Sequence, residues 1–457
     1  MTQADLSKRY LTSEKNVFQL LLRFSVPTTL ANLSTSLASL ADAVFLSQMG
    51  TSYSGAAGVL FPIFALIQAV GFTLGTGGGS ILARSLGAKD REKANKVAVF
   101  SFFGSVAAGG IICAVGLCFR APLLRWLGAN DAILAGALPY ATVLFFAAPL
   151  MCGSFSLSNL LRAEGRVVWA TVGTVAGNLL NVLLTPLFLF RLQLGAKGVA
   201  LALLIGYAVC FLLLLIPYFT GKCRVSLLPK TVRSSFGVAK ETVVIGSPSL
   251  ARQGLAMLAA VCLNRAARPY GVAALAAFAI EGRIFLFLYA FCLGIGQGMV
   301  PITGFLYGAG KSERAKTVSK IATSFCTALL AGLSLLTGIF APRIIALFRS
   351  DQDVIRFGSF LLRAQCIAMP LHGIITIVNL YFQSIGSAKK ALFIAASRQG
   401  IFFLPLIWIL PRFGLFALLL TQPIADGLTL VPTLFFAKTK SRGRFPFAWN
   451  GKRPPLS

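Results

Sequence analysis

Six polar residues fall in a line near the start of the chain: Ser25, Thr28, Asn32, Thr35, Ser39 and Asp42. Their spacing alternates between three and four residues, which on a helix puts all six on one face. The stripe ends in a carboxylate with no Lys or Arg three or four residues away. A carboxylate set in apolar surroundings beside amide and hydroxyl groups can load and release a proton, or it can hold a dehydrated Na+. Thr171, Thr174, Asn178, Asn181 and Thr185 form a second stripe with the same spacing. Two such stripes fit helices that line a wet crevice or helices that bond to each other through Ser, Thr and Asn.

Few other residues have the types chemistry needs. Glu281 and Asp426 are the remaining acids well inside apolar runs. Asp426 lies on the stripe Gln422, Asp426, Thr429, Thr433, and Arg398 in the preceding run is its expected ion-pair partner. The single histidine, His372, follows Pro370 and reads as a hydrogen-bonded spacer. The nine cysteines form no CxxC or Cys/His cluster, so neither a metal site nor a cofactor is expected. No HExxH, P-loop or Ser/His/Asp arrangement occurs, so the chain is not expected to be an enzyme.

The elements that must carry these residues follow from composition. Of 457 residues 56% are hydrophobic and 12% charged, with a mean hydropathy of +0.80. A soluble domain is far richer in charge, and the long Leu/Ala/Phe runs suit membrane helices better than barrel strands. Twelve helices are predicted, at 17–46, 54–83, 97–119, 136–161, 167–190, 198–220, 241–264, 272–306, 319–341, 357–384, 391–411 and 414–437. Pro27 is expected to bend the first of them, and Pro186, Pro248, Pro301 and Pro405 to interrupt others. The N-terminus lacks a cleavable signal peptide, so the first helix is expected to serve as its own insertion signal.

The formal charge of +29 resembles a nucleic-acid footprint, but its distribution explains it otherwise. Lys and Arg concentrate in alternate loops, around Arg84–Lys96, Arg162–Arg166, Lys222–Lys240, Lys311–Lys320, Lys389–Lys390 and Lys438–Arg453. By the positive-inside rule both termini are then cytoplasmic in a multi-pass protein of the plasma or inner membrane, with the bilayer and not nucleic acid as partner. Five arginines fall inside spans: Arg23, Arg252, Arg283, Arg363 and Arg398. If they faced one cavity, they would suit a pyrophosphate-bearing substrate.

The chain also repeats itself at an offset of 221 residues. Pro27 matches Pro248, Gly75 and Gly77 match Gly296 and Gly298, the loop at 87–94 matches 308–315, Gly165 matches Gly386, and Arg191 matches Arg412. Six helices per repeat return the chain to its starting side, so the halves are parallel repeats about an axis along the membrane normal. The expected organisation is a cytoplasmic segment 1–16, a six-helix lobe 17–220, a cytoplasmic linker 221–240, a second six-helix lobe 241–437 and a basic cytoplasmic tail 438–457. Such halves typically rock about a central cavity, and without a nucleotide motif the driving force would be an ion gradient.

Several segments together resemble a known family. They are Leu40-Ala41-Asp42, Leu161-Arg162-Ala163-Glu164-Gly165, Gly177-Asn178-Leu179-Leu180-Asn181, the run from Gly294 to Ala315, Tyr381 to Gly386, and Ser397-Arg398-Gln399. Over roughly residues 16–437 the chain resembles the multidrug and toxic compound extrusion (MATE) transporters, nearest the DinF-like branch, within the multidrug/oligosaccharidyl-lipid/polysaccharide flippase superfamily. The resemblance implies two six-helix lobes around a V-shaped cavity and efflux of amphipathic, often cationic compounds in exchange for H+ or Na+. It implies an ion-coupling set of Asp42, Asn178, Asn181 and Thr185. The branch often has Asp-Pro where this chain has Thr185-Pro186, and Tyr-Asn where it has Ala38-Ser39. Asn32, Thr35, Ser39, Gln253, Glu281 and Tyr381 are the expected substrate-cavity residues, and a monomer is expected. The alternatives are a flippase for a lipid-linked substrate and a non-transporting membrane protein.

Overall fold

The computed structural model describes residues 17–47, 51–127, 129, 131–227, 235–349 and 351–438. The expected segments 1–16 and 439–457, and part of the linker, lie outside the described residues. Among the described residues eleven helices of 18 residues or more appear where the apolar runs predict them, and the remaining run, the eleventh, is broken into short helical pieces from Ala388 to Phe413. In the first half they are α1 (Val17–Ser47), α2 (Thr51–Gly87), α3 (Arg91–Cys118), α4 (Asp131–Ala163), α5 (Val167–Pro186) and α6 (Gly195–Phe219). In the second they are α7 (Ala239–Ala267), α8 (Val272–Gly308), α9 (Ser312–Ile339), α10 (Gln352–Ser384) and α12 (Thr421–Lys438), with α11 (Ala388–Ala396) the first piece of the broken run.

Among the described residues nine helices are long and apolar enough to cross a membrane. The other three are α1, α7 and α12. The first two carry polar residues along their length, and α12 is short because Leu415–Leu419 is set off before it. Two π turns, Leu187–Arg191 after Pro186 and Ser397–Ile401 within the eleventh span, were not expected. The first follows from Pro186, which has no N–H to carry the α pattern on. Pro27 lies inside α1, which continues as helix on both sides of it.

The repeat extends to backbone detail. Gly165 and Gly386 have φ of +82° and +83°, and the left-handed position filled by Lys89 (φ +61°) is Gly310 (φ +78°) in the second half. Each half packs in the same way. In the first, α1 lies on α5 and α2 on α4, and in the second α7 lies on α11 and α8 on α10. The halves meet along α1 with α8 and along α2 with both α7 and α8.

Glycine makes that meeting close. A Cβ on Gly308 would collide with the Arg84 carbonyl, and one on Gly87 with the Phe305 carbonyl. These two contacts are exchanged by the 221-residue offset. Gly77 lies against Thr242 and Gly246, as Gly298 lies against Ser25 and Phe24. Small residues that let backbones touch are the usual basis of helix association in lipid, where apolar burial alone gives little. All these approaches lie toward the end of the bundle that carries the 87–90 and 308–311 turns.

Candidate functional site

Asp42 sits about one and a half turns short of the end of α1 and faces α5. Asn181 Nδ2 donates to both carboxylate oxygens, at 3.2 and 3.0 Å. Thr185 Oγ1 is 3.4 Å from one of them, but it lies 2.8 Å from the Asn181 carbonyl and gives its proton mainly there. No Lys or Arg pairs with Asp42 among the described residues. Tyr140 on α4 and Tyr207 on α6 lie within electrostatic reach of it. Neither is visible in a polar stripe, so sequence spacing gave no signal for them.

Asn178, expected beside Asp42, is placed elsewhere. Its Nδ2 reaches Ser34 Oγ at 2.9 Å and Thr35 Oγ1 at 3.0 Å, two turns back along α1. The two stripes therefore face each other: Asn178 and Asn181 join α5 to α1 at successive turns. Asn181 Oδ1 is buried without a partner among the described residues. Beside Asp42 it is an available acceptor for a carboxylic O–H or a ligand for a cation, once the amide turns over.

Nearer the start of α1, the same stripe bonds to the second lobe. Thr28 Oγ1 donates to the Gly294 carbonyl at 2.6 Å, and Asn32 Nδ2 to Gln297 Oε1 at 3.3 Å. Arg162 Nη1 reaches the same Gln297 oxygen at 2.6 Å. The repeat builds a matching set across α2 and α7. Ser249 Oγ lies 2.9 Å from Thr76 Oγ1, Gln383 Nε2 donates to Thr76 Oγ1 at 3.1 Å, and Gln253 Nε2 to Gln68 Oε1 at 3.4 Å. At the 221-residue offset Thr28 corresponds to Ser249, Asn32 to Gln253, Thr76 to Gln297 and Arg162 to Gln383. Arg162, read from the sequence as a loop charge, is in fact buried in this seam at 7% exposure.

A third polar group lies wholly within the second lobe. Asp426 is fully buried and accepts four bonds: from Arg398 Nε at 2.9 Å, Gln422 Nε2 at 2.8 Å, His372 Nε2 at 3.0 Å and Gln365 Nε2 at 3.1 Å. The Arg398 guanidinium also stands over the rings of Phe285 and Tyr289, at 5.2 and 5.6 Å. The Arg398–Asp426 pair thus takes the geometry expected of it, and His372 is one of its ligands. Gln365 and His372 reach Asp426 through the packing of α10 on α12, which spacing along either helix does not show. Every oxygen of Asp426 is used, as a buried charge requires.

The residues expected to line a substrate cavity do not gather in one place. Asn32 and Gln253 bond in the seam, Thr35 is held by Asn178, and Ser39 is exposed. Glu281 stands within electrostatic reach of Asp426 and Arg398, and Tyr381 packs on Phe382 near Tyr307 and Glu313. Spacing along one helix cannot say which neighbour a face meets. The five intraspan arginines do not converge either. Arg23 and Arg363 are exposed, Arg363 binding the Gly338 carbonyl, Arg252 turns to Ser249, Arg283 is half-buried, and Arg398 is paired.

Comparison with known proteins agrees with this architecture. The family model described as MatE matches residues 27–187 and 248–409, two stretches that start 221 residues apart. The chain is 27% identical over 421 residues to the multidrug export protein MepA of Staphylococcus aureus (strain MSSA476), covering 92% of this chain and 93% of that protein. It superposes with a TM-score of 0.88 on a MATE crystallised in complex with MaL6, at 25% identity, covering 93% and 98% of the two chains. A TM-score of 0.87, with 26% identity and the same coverage, relates it to a MOP superfamily transporter from Pyrococcus furiosus whose binding pocket is described as reversed in polarity.

Proposed function

The chain belongs to the MatE family, and from that premise we propose that it is an ion-coupled antiporter that exports amphipathic, often cationic compounds in exchange for H+ or Na+. It is a multi-pass membrane protein of a multidrug-transporter family. In this reading it works as a monomer in the cell membrane, with both termini cytoplasmic, and carries out no enzymatic reaction.

The observation that carries the proposal is the position of α1. One face of it holds Asp42 against Asn181, and the same helix bonds through Thr28 and Asn32 to the second lobe. As a carboxylate, Asp42 accepts both N–H···O contacts from Asn181. Taking a proton turns one oxygen into a donor, and the amide must offer its unpaired Oδ1 instead. Na+ would likewise draw oxygens, not the NH2 group, toward the carboxylate. Either event changes the α1–α5 junction and thereby biases the seam that α1 makes with α8. Coupling needs only that ion and drug prefer different arrangements of the two lobes. The lobes, 17–220 and 241–437, are the moving bodies. In the arrangement described, the seam bonds and glycine contacts close the end with the 87–90 turn, which is the cytoplasmic end in this reading.

The test is efflux of a cationic dye from proteoliposomes under an imposed pH gradient and then a Na+ gradient, for the wild type and Asp42→Asn. Gradient-driven flux that is lost in Asp42→Asn supports the reading. Flux that survives the substitution moves the coupling site to another carboxylate, with Glu281 next. No gradient-driven dye flux in the wild type refutes multidrug antiport.

A further inference from the structure

Among the described residues Arg162 has no charge partner. It is buried in the seam between the lobes, and its one hydrogen bond is Nη1 to the neutral Gln297 side chain. Its Nε–H is buried with no acceptor. Glu164, two residues on, turns away and accepts from the Arg224 backbone N–H at 2.7 Å. Among the described residues the one titratable group within electrostatic reach of Arg162 is the Cys210 thiol. A buried guanidinium without a counter-charge is among the most costly arrangements in a protein interior.

Arg162 lines a small cavity between the lobes, shared with Thr76, Ser80, Asn159, Gln297 and Gln383. The free space is small, enough for a water molecule or a monatomic ion. Ser80 is 1% exposed, and its hydroxyl has no partner either. Two unused donors, one of them cationic, therefore border one cavity. Its walls come from α2 and α4 of the first lobe and from α8 and α10 of the second.

We infer that this cavity is a binding site for a small monovalent anion of chloride size, held by Arg162 and Ser80 between the closed lobes. The anion supplies the missing counter-charge and accepts from the Arg162 Nε–H and the Ser80 hydroxyl. A water molecule fits the space and could join Nε–H to the unpaired Gln383 Oε1, but it leaves the charge uncompensated. Because the cavity is bounded by both lobes, the anion favours the arrangement in which they meet at this end. The offset of 221 places Gln383 where the other half has Arg162, so the second half has no equivalent cation and a single site is expected.

The experiment uses the full chain purified in detergent. Equilibrium binding of radioactive chloride is measured together with the melting temperature in chloride, bromide, nitrate, acetate, phosphate and gluconate at constant ionic strength. The expected result is saturable, stoichiometric chloride binding displaced by bromide, with a matching rise in Tm over gluconate. Acetate and phosphate, too large for the space, leave Tm at the gluconate value. In Arg162→Gln the chloride response is lost. In Ser80→Ala chloride affinity falls by ~3-fold or more, the loss of one hydrogen bond; that variant, with the wild-type binding isotherm, decides the matter if Arg162→Gln does not fold. No saturable chloride binding in the wild type, as a water-filled cavity gives, overturns the inference. So does a chloride response unchanged in Arg162→Gln or in Ser80→Ala. A Tm raised by acetate or phosphate as much as by chloride overturns the assignment to a chloride-sized ion. None of these readouts depends on drug transport.

Discussion

Gly308→Ala is the sharpest perturbation of the lobe seam. At Gly308 a Cβ would sit on the Arg84 carbonyl oxygen and 2.8 Å from its carbon, where ordinary contact begins at 3.4 Å. Even the carbon is about 0.6 Å too close, and the obstacle is backbone, which has no rotamer to change. Overpacking of this kind costs about 1–3 kcal/mol. The cost falls only on the arrangement in which α8 touches α2, so the equilibrium should move away from it by roughly 5- to 150-fold. Gly87→Ala, related by the repeat and set against the Phe305 carbonyl, should act alike. Gly110→Ala on α3, with nothing within 4 Å of the new atom, is the control. The assay is reaction of Ser249→Cys with a water-soluble maleimide after the nine native cysteines are replaced. Ser249 is 0% exposed and bonded to Thr76 across the seam. Labelling should be slow alone or with Gly110→Ala and fast with Gly308→Ala. Equal labelling rates in folded Gly308→Ala and in the control would refute the idea that these glycines hold the seam shut.

Other predictions concern groups away from the seam. Asp426→Leu should lower stability by about 3–5 kcal/mol, because it strands Arg398 in the lobe interior; adding Arg398→Met should recover most of the loss, as read from melting in detergent. Glu164 lies outside the spans, and burial pushes its carboxyl up to about 7, opposed by the bond from the Arg224 N–H and by Arg166 and Arg224. A carboxyl raised on folding binds more protons when folded, so its contribution is full below about pH 4.5 and is lost as pH rises to about 7. Glu164→Gln should therefore gain stability relative to the wild type over that interval, up to about 3 kcal/mol at pH 8, and a pH-independent difference would count against it. Asn178→Leu should loosen α1 from α5 at Ser34 and Thr35 and reduce transport while leaving some ion dependence, since Asp42 keeps Asn181.

Much of this architecture is legible in the residues themselves. The alternation of three and four along α1 and α5 put Asp42 and Asn181 each on a polar stripe but left open whether the stripes lined a crevice or bonded to each other; in the structure the two residues meet. The offset of 221 foretold the paired turns at Gly165 and Gly386 and the parallel halves. Three things were not legible. Asn178 has the right spacing to join Asp42, but the crossing of α1 and α5 aims it two turns lower. Arg162 stands beside a turn in the sequence and looks like a loop charge, yet the neighbouring lobe covers it. Gln365, His372 and Asp426 come from two helices whose relative rotation no single-helix pattern contains. In each case the missing information is the angle and depth at which two helices pack, which small residues set more than polar ones.

In the proposed mechanism ion and drug compete at Asp42. The most direct measurement is binding of tetraphenylphosphonium, a lipophilic cation, to the purified protein over a range of pH and Na+ concentration, for the wild type, Asp42→Asn and Glu281→Gln. The account predicts that wild-type affinity falls as H+ or Na+ rises, that Glu281→Gln keeps this dependence, and that Asp42→Asn loses it. Ion-dependent binding that persists in Asp42→Asn and disappears in Glu281→Gln would contradict it and move the coupling to the second lobe.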